Sequence, residues 1–292
     1  MNRIRVTHTT TYRYAAPVTF GQHRLVVRPR EGHDIQVELM VLAIQPKATV
    51  TWHRDLFGNS IANARFAESA ELLEFRVEAI VLRGDQTSPH ESLEALPVQY
   101  PVLYSALEAP VITGYLASVY SEEASQLREW VLSTFFPKNR TDAAVIVGEI
   151  GTWIHRTIEY RRREDRGVQS PLETLALKSG SCRDMATLLL EATRTLNIAS
   201  RFATGYLDGN SSAAGIAATH AWTEVYFPEH GWYGWDPTLG EGTSGKHIVT
   251  GVSSHPRGVM PISGTYSGPT ELYQGMTVSV KIEQLPWDEK AA

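Results

Sequence analysis

The chain has almost no cysteine: one residue, Cys182, in 292. A single thiol excludes an internal disulfide and any cage built from several cysteines. An excess of positive charge is missing too. Lys and Arg number 27 against 32 Asp and Glu, for a formal net charge of −5. That argues against nucleic acid or an anionic membrane as partner, because such surfaces show clustered Lys and Arg. The one basic run, Arg161-Arg162-Arg163, is followed at once by Glu164 and Asp165, so its field largely cancels. No stretch approaches the roughly 18 apolar residues of a membrane helix. The opening MNRIRVTHTTTYRYAAPV has no apolar core for a secretory signal. Repeats and low-complexity tracts are absent. The expected compartment is the reducing cytoplasm, where an unpaired thiol stays reduced; the oligomeric state is left open.

What is present suits a globular protein: 42% hydrophobic and 20% charged residues, in a chain long enough for two domains. Residues 2–83 read as strands. Arg3 to Thr7 alternates, as does part of Leu72 to Leu82, and turn signals recur at Ala16-Pro17, Pro29 to Gly32, Gln45-Pro46 and Phe57-Gly58-Asn59. Short strands at this spacing predict a sandwich. Pro89, Pro97, Pro101 and Pro110 mark 84–110 as a linker. The period then changes. One helix is expected from Val111 to Phe136, stopped by Pro137, and a second from about Asp142 to Tyr160 with Val145, Ile146, Ile150, Trp153, Ile154 and Ile158 as its apolar face. After Arg201 strands and glycine-rich loops return. The expected class is α+β, with a β-rich domain and linker over 1–105 and a second domain over 106–292.

The third helix carries the cysteine. In SGSCRDMATLLLEATRTLNI, residues 179–198, Met185, Leu188, Leu189, Ala192 and Leu196 recur with helical spacing, so that face belongs to the core. Ser181 and Asp184 form a variant capping box, and Gly180 suits a sharp entry. Cys182 then lies in the first turn, among unpaired backbone N–H groups at the positive end of the helix dipole. That field favours a thiolate nucleophile. Free cysteines are also commonly inert and buried, and this helix alone leaves both roles open.

The second clue is THAWTEVYFPEHGWYGWDPTLG, residues 219–240. His220 to Phe227 and Gly231 to Asp236 flank the turn signal Pro228-Glu229-His230-Gly231. Opposed residues in an antiparallel hairpin have a constant index sum, and a turn centred on 228 makes His220 and Asp236 neighbours on one face. A thiol nucleophile needs a base beside it and a carboxylate that fixes the base's tautomer. Cys182, His220 and Asp236 offer that set.

The segments Gly180-Ser181-Cys182-Arg183-Asp184, His220-Ala221-Trp222 and Trp235-Asp236-Pro237-Thr238 resemble the three motifs of the transglutaminase-like superfamily, in the order and separations of its bacterial members. Ile158-Glu159-Tyr160 and Ser170-Pro171-Leu172-Glu173 fit as well. Tyr12-Arg13-Tyr14, Leu25 to Pro29 and Asp55-Leu56-Phe57-Gly58-Asn59 resemble the β-rich domain that precedes this core in bacteria. The resemblance implies a papain-like core, a Cys-bearing helix packed on an antiparallel sheet bearing His and Asp, with Cys182, His220 and Asp236 as triad. One stretch departs. Where bacterial members carry a Gly-Arg-Asp-Tyr-x-Asp-Val type segment, this chain has Ser253-Ser254-His255-Pro256-Arg257-Gly258-Val259, although Pro261 and Gly264 fit.

The expected reaction is amide hydrolysis of a protein or peptide through a thioester, with the Cys182 backbone N–H as one oxyanion donor. Trp153, Tyr160 and Trp222 are candidates for a further donor or substrate contact, with core packing as their competing role. Acyl transfer to an amine is the alternative. A lysine amine is neutral only about once in 2,000–3,000 at pH 7, so transfer needs a dry acceptor pocket, for which Trp222, Trp232, Trp235, Tyr226 and Tyr233 could supply walls. A non-catalytic peptide-binding module is a third reading. A metal on Cys182, His220 and Asp236 is a fourth. No other metal-ligand spacing or calcium loop is present, and no cofactor is expected.

Overall fold

A computed structural model of the chain describes residues 2–84, 98–136, 141–162, 167–207 and 218–286. The first strand, β1 (Asn2–Phe20), alternates buried and exposed positions along much of its length. It lies between β6 (Ala70–Arg83) and β16 (Tyr273–Leu285), with β3 (Ile35–Gln45) beyond β6 and β15 (Tyr266–Ser267) at the far end of β1. A second sheet runs β14 (Ile262–Ser263), β2 (His23–Leu25), β5 (Ser60–Phe66), β4 (Ala48–Arg54). Phe20, Leu25, Ala62, Ala64, Leu73, Phe75 and Val77 meet between the two sheets, which is the sandwich the strand pattern predicts. Between β4 and β5 the chain turns at Gly58, whose φ of +72° suits a residue without Cβ.

The helical region differs from expectation at its start. In place of one helix over 111–136 there are α1 (Ala109–Leu116) and α2 (Ala124–Phe135). Pro110 sits in the first turn of α1, where its missing N–H costs nothing. A tertiary contact accounts for the break: Ser118 Oγ and the Val119 N–H both bond the carboxylate of Glu191, which is buried. Pro89, Pro97 and Pro137 lie outside the described residues.

Next comes α3 (Ala143–Thr157), capped by the Asp142 carboxylate on the Ala144 and Val145 N–H groups, then β7 (Glu159–Tyr160). The Ser170-Pro171-Leu172-Glu173 segment forms the capping box of α4 (Pro171–Leu177). Then β8 (Ser179–Gly180) pairs in parallel with β7 and leads into α5 (Cys182–Thr195). The second half closes with the antiparallel sheet β12 (Glu241–Gly242), β11 (Gly231–Asp236), β10 (Ala218–Phe227), β9 (Ser200–Leu207), β13 (His247–Ser253).

The sequence pattern assigns one buried face to α5; residues 184–194 are in fact buried all round. Met185, Leu188, Leu189, Ala192 and Leu196 face the helical core. Ala186 and Leu190 face a second cluster with Phe202 and Ala221 of the sheet, Val26 and Ile61 of the sandwich, and Val259. So the helix carrying Cys182 is sealed partly by the first 82 residues. The chain end also returns to them: β14 pairs with β2, and β15 and β16 with β1. Residues 262–285, expected within the 106–292 unit, thus share sheets with the N-terminal strands.

Candidate active site

Cys182 is the first residue of α5, and the turn that delivers it is tightly held. The buried Asp184 carboxylate accepts from the Ser181 N–H and Oγ at 2.8 Å each, and from the Gln169 N–H at 2.8 Å. A Cβ at position 180 would come within 2.8 Å of Asp184 Cβ, so only glycine fits this close approach. Cys182 itself is partly exposed.

His220 and Asp236 come from β10 and β11. The hairpin pairs Thr223 with Trp235 and Phe227 with Gly231, so it is centred on 229 rather than 228. His220 therefore sits diagonally from Asp236 instead of directly opposite. The displacement is by an even number of residues, so both side chains keep a common face. His220 Nε2 lies 2.6 Å from Asp236 Oδ2, and Cys182 stands close enough to the imidazole to favour its charged form. With Nε2 engaged by the carboxylate, Nδ1 is the nitrogen left for sulfur.

Burial disfavours a charge on His220. The Asp236 carboxylate, the hydrogen bond to it and the interaction with Cys182 outweigh burial, and the imidazole is pushed up to about 10. Asp236 is fully buried. Burial alone would raise it, but His220 and then His247 hold it well below the usual carboxylate range. Its Oδ1 accepts the backbone N–H groups of Thr238 and Leu239 at 2.9 and 3.3 Å. Pro237, which has no N–H, lies between Asp236 and these two donors.

The three remaining candidates part company. Tyr160 pairs with Gly180 across β7 and β8. Its phenol is pushed up by burial and then by the charge of Cys182, with Arg162 and Arg183 acting in the opposite sense, so it stands within electrostatic reach of the thiol. Trp153 packs against Trp130 and Phe135 at 5.0 and 6.2 Å between centroids, in the helical core. Trp222 is buried, with its ring 6.3 Å from His220 and 5.0 Å from His247, and its Nε1 has no hydrogen-bond partner among the described residues. It backs the histidines.

Sequence reasoning missed His247. Its Nε2 lies 3.0 Å from Asp236 Oδ2, the oxygen that also holds His220. The signal was weak: one histidine of ten, placed by a strand pairing with β9 that no local pattern announces. The departing segment 253–259 ends β13 and forms a short 3-10 turn, Pro256–Val259. There Val259 packs in the cluster with Cys182, and the Ser254 and Gly258 carbonyls accept from Arg194 and Arg24. It buttresses the cysteine helix. No helix among the described residues is long and apolar enough to cross a membrane.

Comparison with known proteins agrees with this architecture. Over nearly the whole length of each chain (99% of this one, 95% of the other), the sequence is 26% identical to the uncharacterized protein Rv2569c of Mycobacterium tuberculosis. It is 24% identical to the uncharacterized protein ML0607 of Mycobacterium leprae, over 92% and 94%. A solved structure from Cytophaga hutchinsonii, named as a candidate cysteine protease, superposes with a TM-score of 0.74 at 19% identity, covering 98% of this chain and 92% of that one. Residues 4–82 match the bacterial transglutaminase-like N-terminal region and residues 136–237 match the transglutaminase-like superfamily. The chain belongs to the transglutaminase-like superfamily.

Proposed function

We propose that the protein is a cysteine-dependent amide hydrolase, a peptidase or isopeptidase, in which Cys182, His220 and Asp236 act as a triad. The observation that carries this reading is the line of three side chains, from Cys182 at a helix N-terminus to His220, with which it interacts, and on to Asp236 Oδ2, 2.6 Å from His220 Nε2. The thiol proton passes to His220 Nδ1, and sulfur attacks the scissile carbonyl carbon. As the C–S bond forms, the oxyanion takes the Cys182 backbone N–H, which has no intrahelical partner at that position. The imidazolium protonates the leaving amine as the C–N bond breaks, leaving a thioester. Water then gives a proton to His220 and attacks the thioester, and the acid departs with the thiol restored. Asp236 keeps the imidazole in the tautomer that serves these transfers. A protein or peptide substrate and a reducing cytoplasmic setting complete the proposal.

Acyl transfer to an amine would require a dry acceptor wall beside the thiol. The strand aromatics considered for that role are dispersed. Trp222 backs the histidines and Trp235 packs in the helical core. Trp232 lies against Tyr115, Tyr226 and the Arg201 guanidinium. This distribution favours water as the acceptor. Incubation with a fluorogenic glutamine peptide, with and without a primary amine, tests the point. Hydrolysis gives the free acid at a rate the amine leaves unchanged; accumulation of an amine adduct in place of the acid would establish transfer.

A further inference from the structure

Asp236 Oδ2 serves two histidines. His220 Nε2 is 2.6 Å away and His247 Nε2 is 3.0 Å away. The other nitrogen of His247, Nδ1, accepts the Ser244 backbone N–H at 3.2 Å. A backbone N–H can only donate, so Nδ1 presents its lone pair and the ring carries its proton on Nε2, aimed at the carboxylate. The ring is held firmly. It is 2% exposed, Trp222 meets it edge-on at 5.0 Å, and its backbone carbonyl accepts from Arg83 of β6 at 2.6 Å. The charged or titratable groups facing this cluster are His220, Asp236, Cys182 and, on the backbone of His247, Arg83.

A carboxylate has about four lone-pair positions, and Asp236 receives four donors: two imidazoles on Oδ2 and two backbone N–H groups on Oδ1. The terminal torsion of an aspartate is soft, and without His247 the Oδ2 side would be held by one imidazole alone against the two N–H groups on Oδ1. With all four positions taken, the plane is fixed. We propose that His247 is a positioning residue, a fixed N–H donor that orients the Asp236 carboxylate so that the same oxygen meets His220. This inference rests on the triad reading above. The ligand atoms of His220, Asp236 and His247 lie within 4.8 Å of one another, a grouping a metal ion could use. Two ligands on one tetrahedral zinc stand roughly 3.3 Å apart, given bonds of about 2.0–2.1 Å. The 2.6 and 3.0 Å separations are those of hydrogen bonds.

The test uses the full chain and iodoacetamide as probe, following alkylation of Cys182 against pH in wild type, His220→Ala, His247→Gln and His247→Leu. Gln places an N–H where His Nε2 stands; Leu fills the space without a donor. His247→Leu is expected to alkylate about tenfold more slowly at pH 6, a one-unit loss of ion-pair stabilisation, with His247→Gln within about twofold of wild type on the same scale. Should the Leu variant not fold, His247→Asn, too short to reach Asp236, takes its place. Equal slowing in Gln and Leu variants, or none in the Leu variant while His220→Ala is slow, would overturn the positioning role alone. A wild-type rate in His220→Ala would overturn the triad reading and this inference with it. Stoichiometric zinc uptake by wild type that His247→Leu loses would replace positioning with a metal site.

Discussion

His220 and Asp236 meet at 2.6 Å across a hairpin in which they are diagonal rather than opposed. The diagonal leaves Trp222, not His220, level with Asp236, and it lets the imidazole lean along the strand with Nε2 on the carboxylate and Nδ1 free for Cys182. Replacing Asp236 by Asn keeps the shape but puts a donor against Nε2, which selects the opposite tautomer. Turnover of an amide substrate should fall about a thousand- to ten-thousand-fold with little change in KM. A kcat within tenfold of wild type would show that the carboxylate does not set the tautomer.

The same pair makes stability depend on pH in a definite direction. His220 is pushed from 6.5 up to about 10 on folding, so its contribution is complete below about 6.5 and is lost as pH rises through about 10. Asp236 is lowered, so its contribution is present above its ordinary value of 3.8 and is lost as pH falls below it. The Tm of wild type should therefore decline between pH 7 and pH 10 more steeply than that of His220→Gln. Parallel declines in thermal melts would remove His220 as the cause.

The sandwich is tied to the sheet that carries His220 and Asp236 by Asn59. Its Nδ2 donates to the Val252 carbonyl at 2.7 Å and its Oδ1 accepts the Val252 N–H at 2.9 Å, so the side chain pairs with β13 as a strand would. Asn59→Ala leaves both buried backbone groups of Val252 without partners and should cost about 3 kcal/mol in denaturant unfolding. Together with β16 on β1 and Val26 and Ile61 against α5, this predicts that a chain cut at 106 loses reactivity at Cys182 because it loses its fold. A soluble, reactive 106–292 fragment would contradict that prediction.

Chelation should leave activity intact, since thiol, imidazole and carboxylate supply every proton transfer the proposed hydrolysis needs. Assays before and after EDTA treatment check this; an inactivation that zinc or calcium reverses would contradict it.

Much of this site was legible in the sequence, for local reasons. The apolar spacing of Met185 to Leu196 marks a helix and Ser181 marks its start, while Pro228 to Gly231 brings two strands together, so Cys182, His220 and Asp236 could be named from neighbouring residues. What escaped was tertiary. His247 reaches Asp236 only because β13 pairs with β9. The break between α1 and α2 depends on Glu191, some 70 positions away. The burial of α5 on every side comes from residues as distant as Val26. Likewise β10 reads as an alternating strand but is buried on both faces, between α5 on one side and the cluster of Trp222, Val252 and Phe57 on the other.

The coupling of thiol to imidazole is tested most directly by the rate of iodoacetamide alkylation of Cys182 from pH 4 to pH 10, in wild type and in His220→Ala. With the imidazole of His220 beside the thiol, wild type should react rapidly at pH 6, and His220→Ala should react there at least about tenfold more slowly. Superimposable profiles would show that His220 does not act on Cys182, and the triad would have to be abandoned.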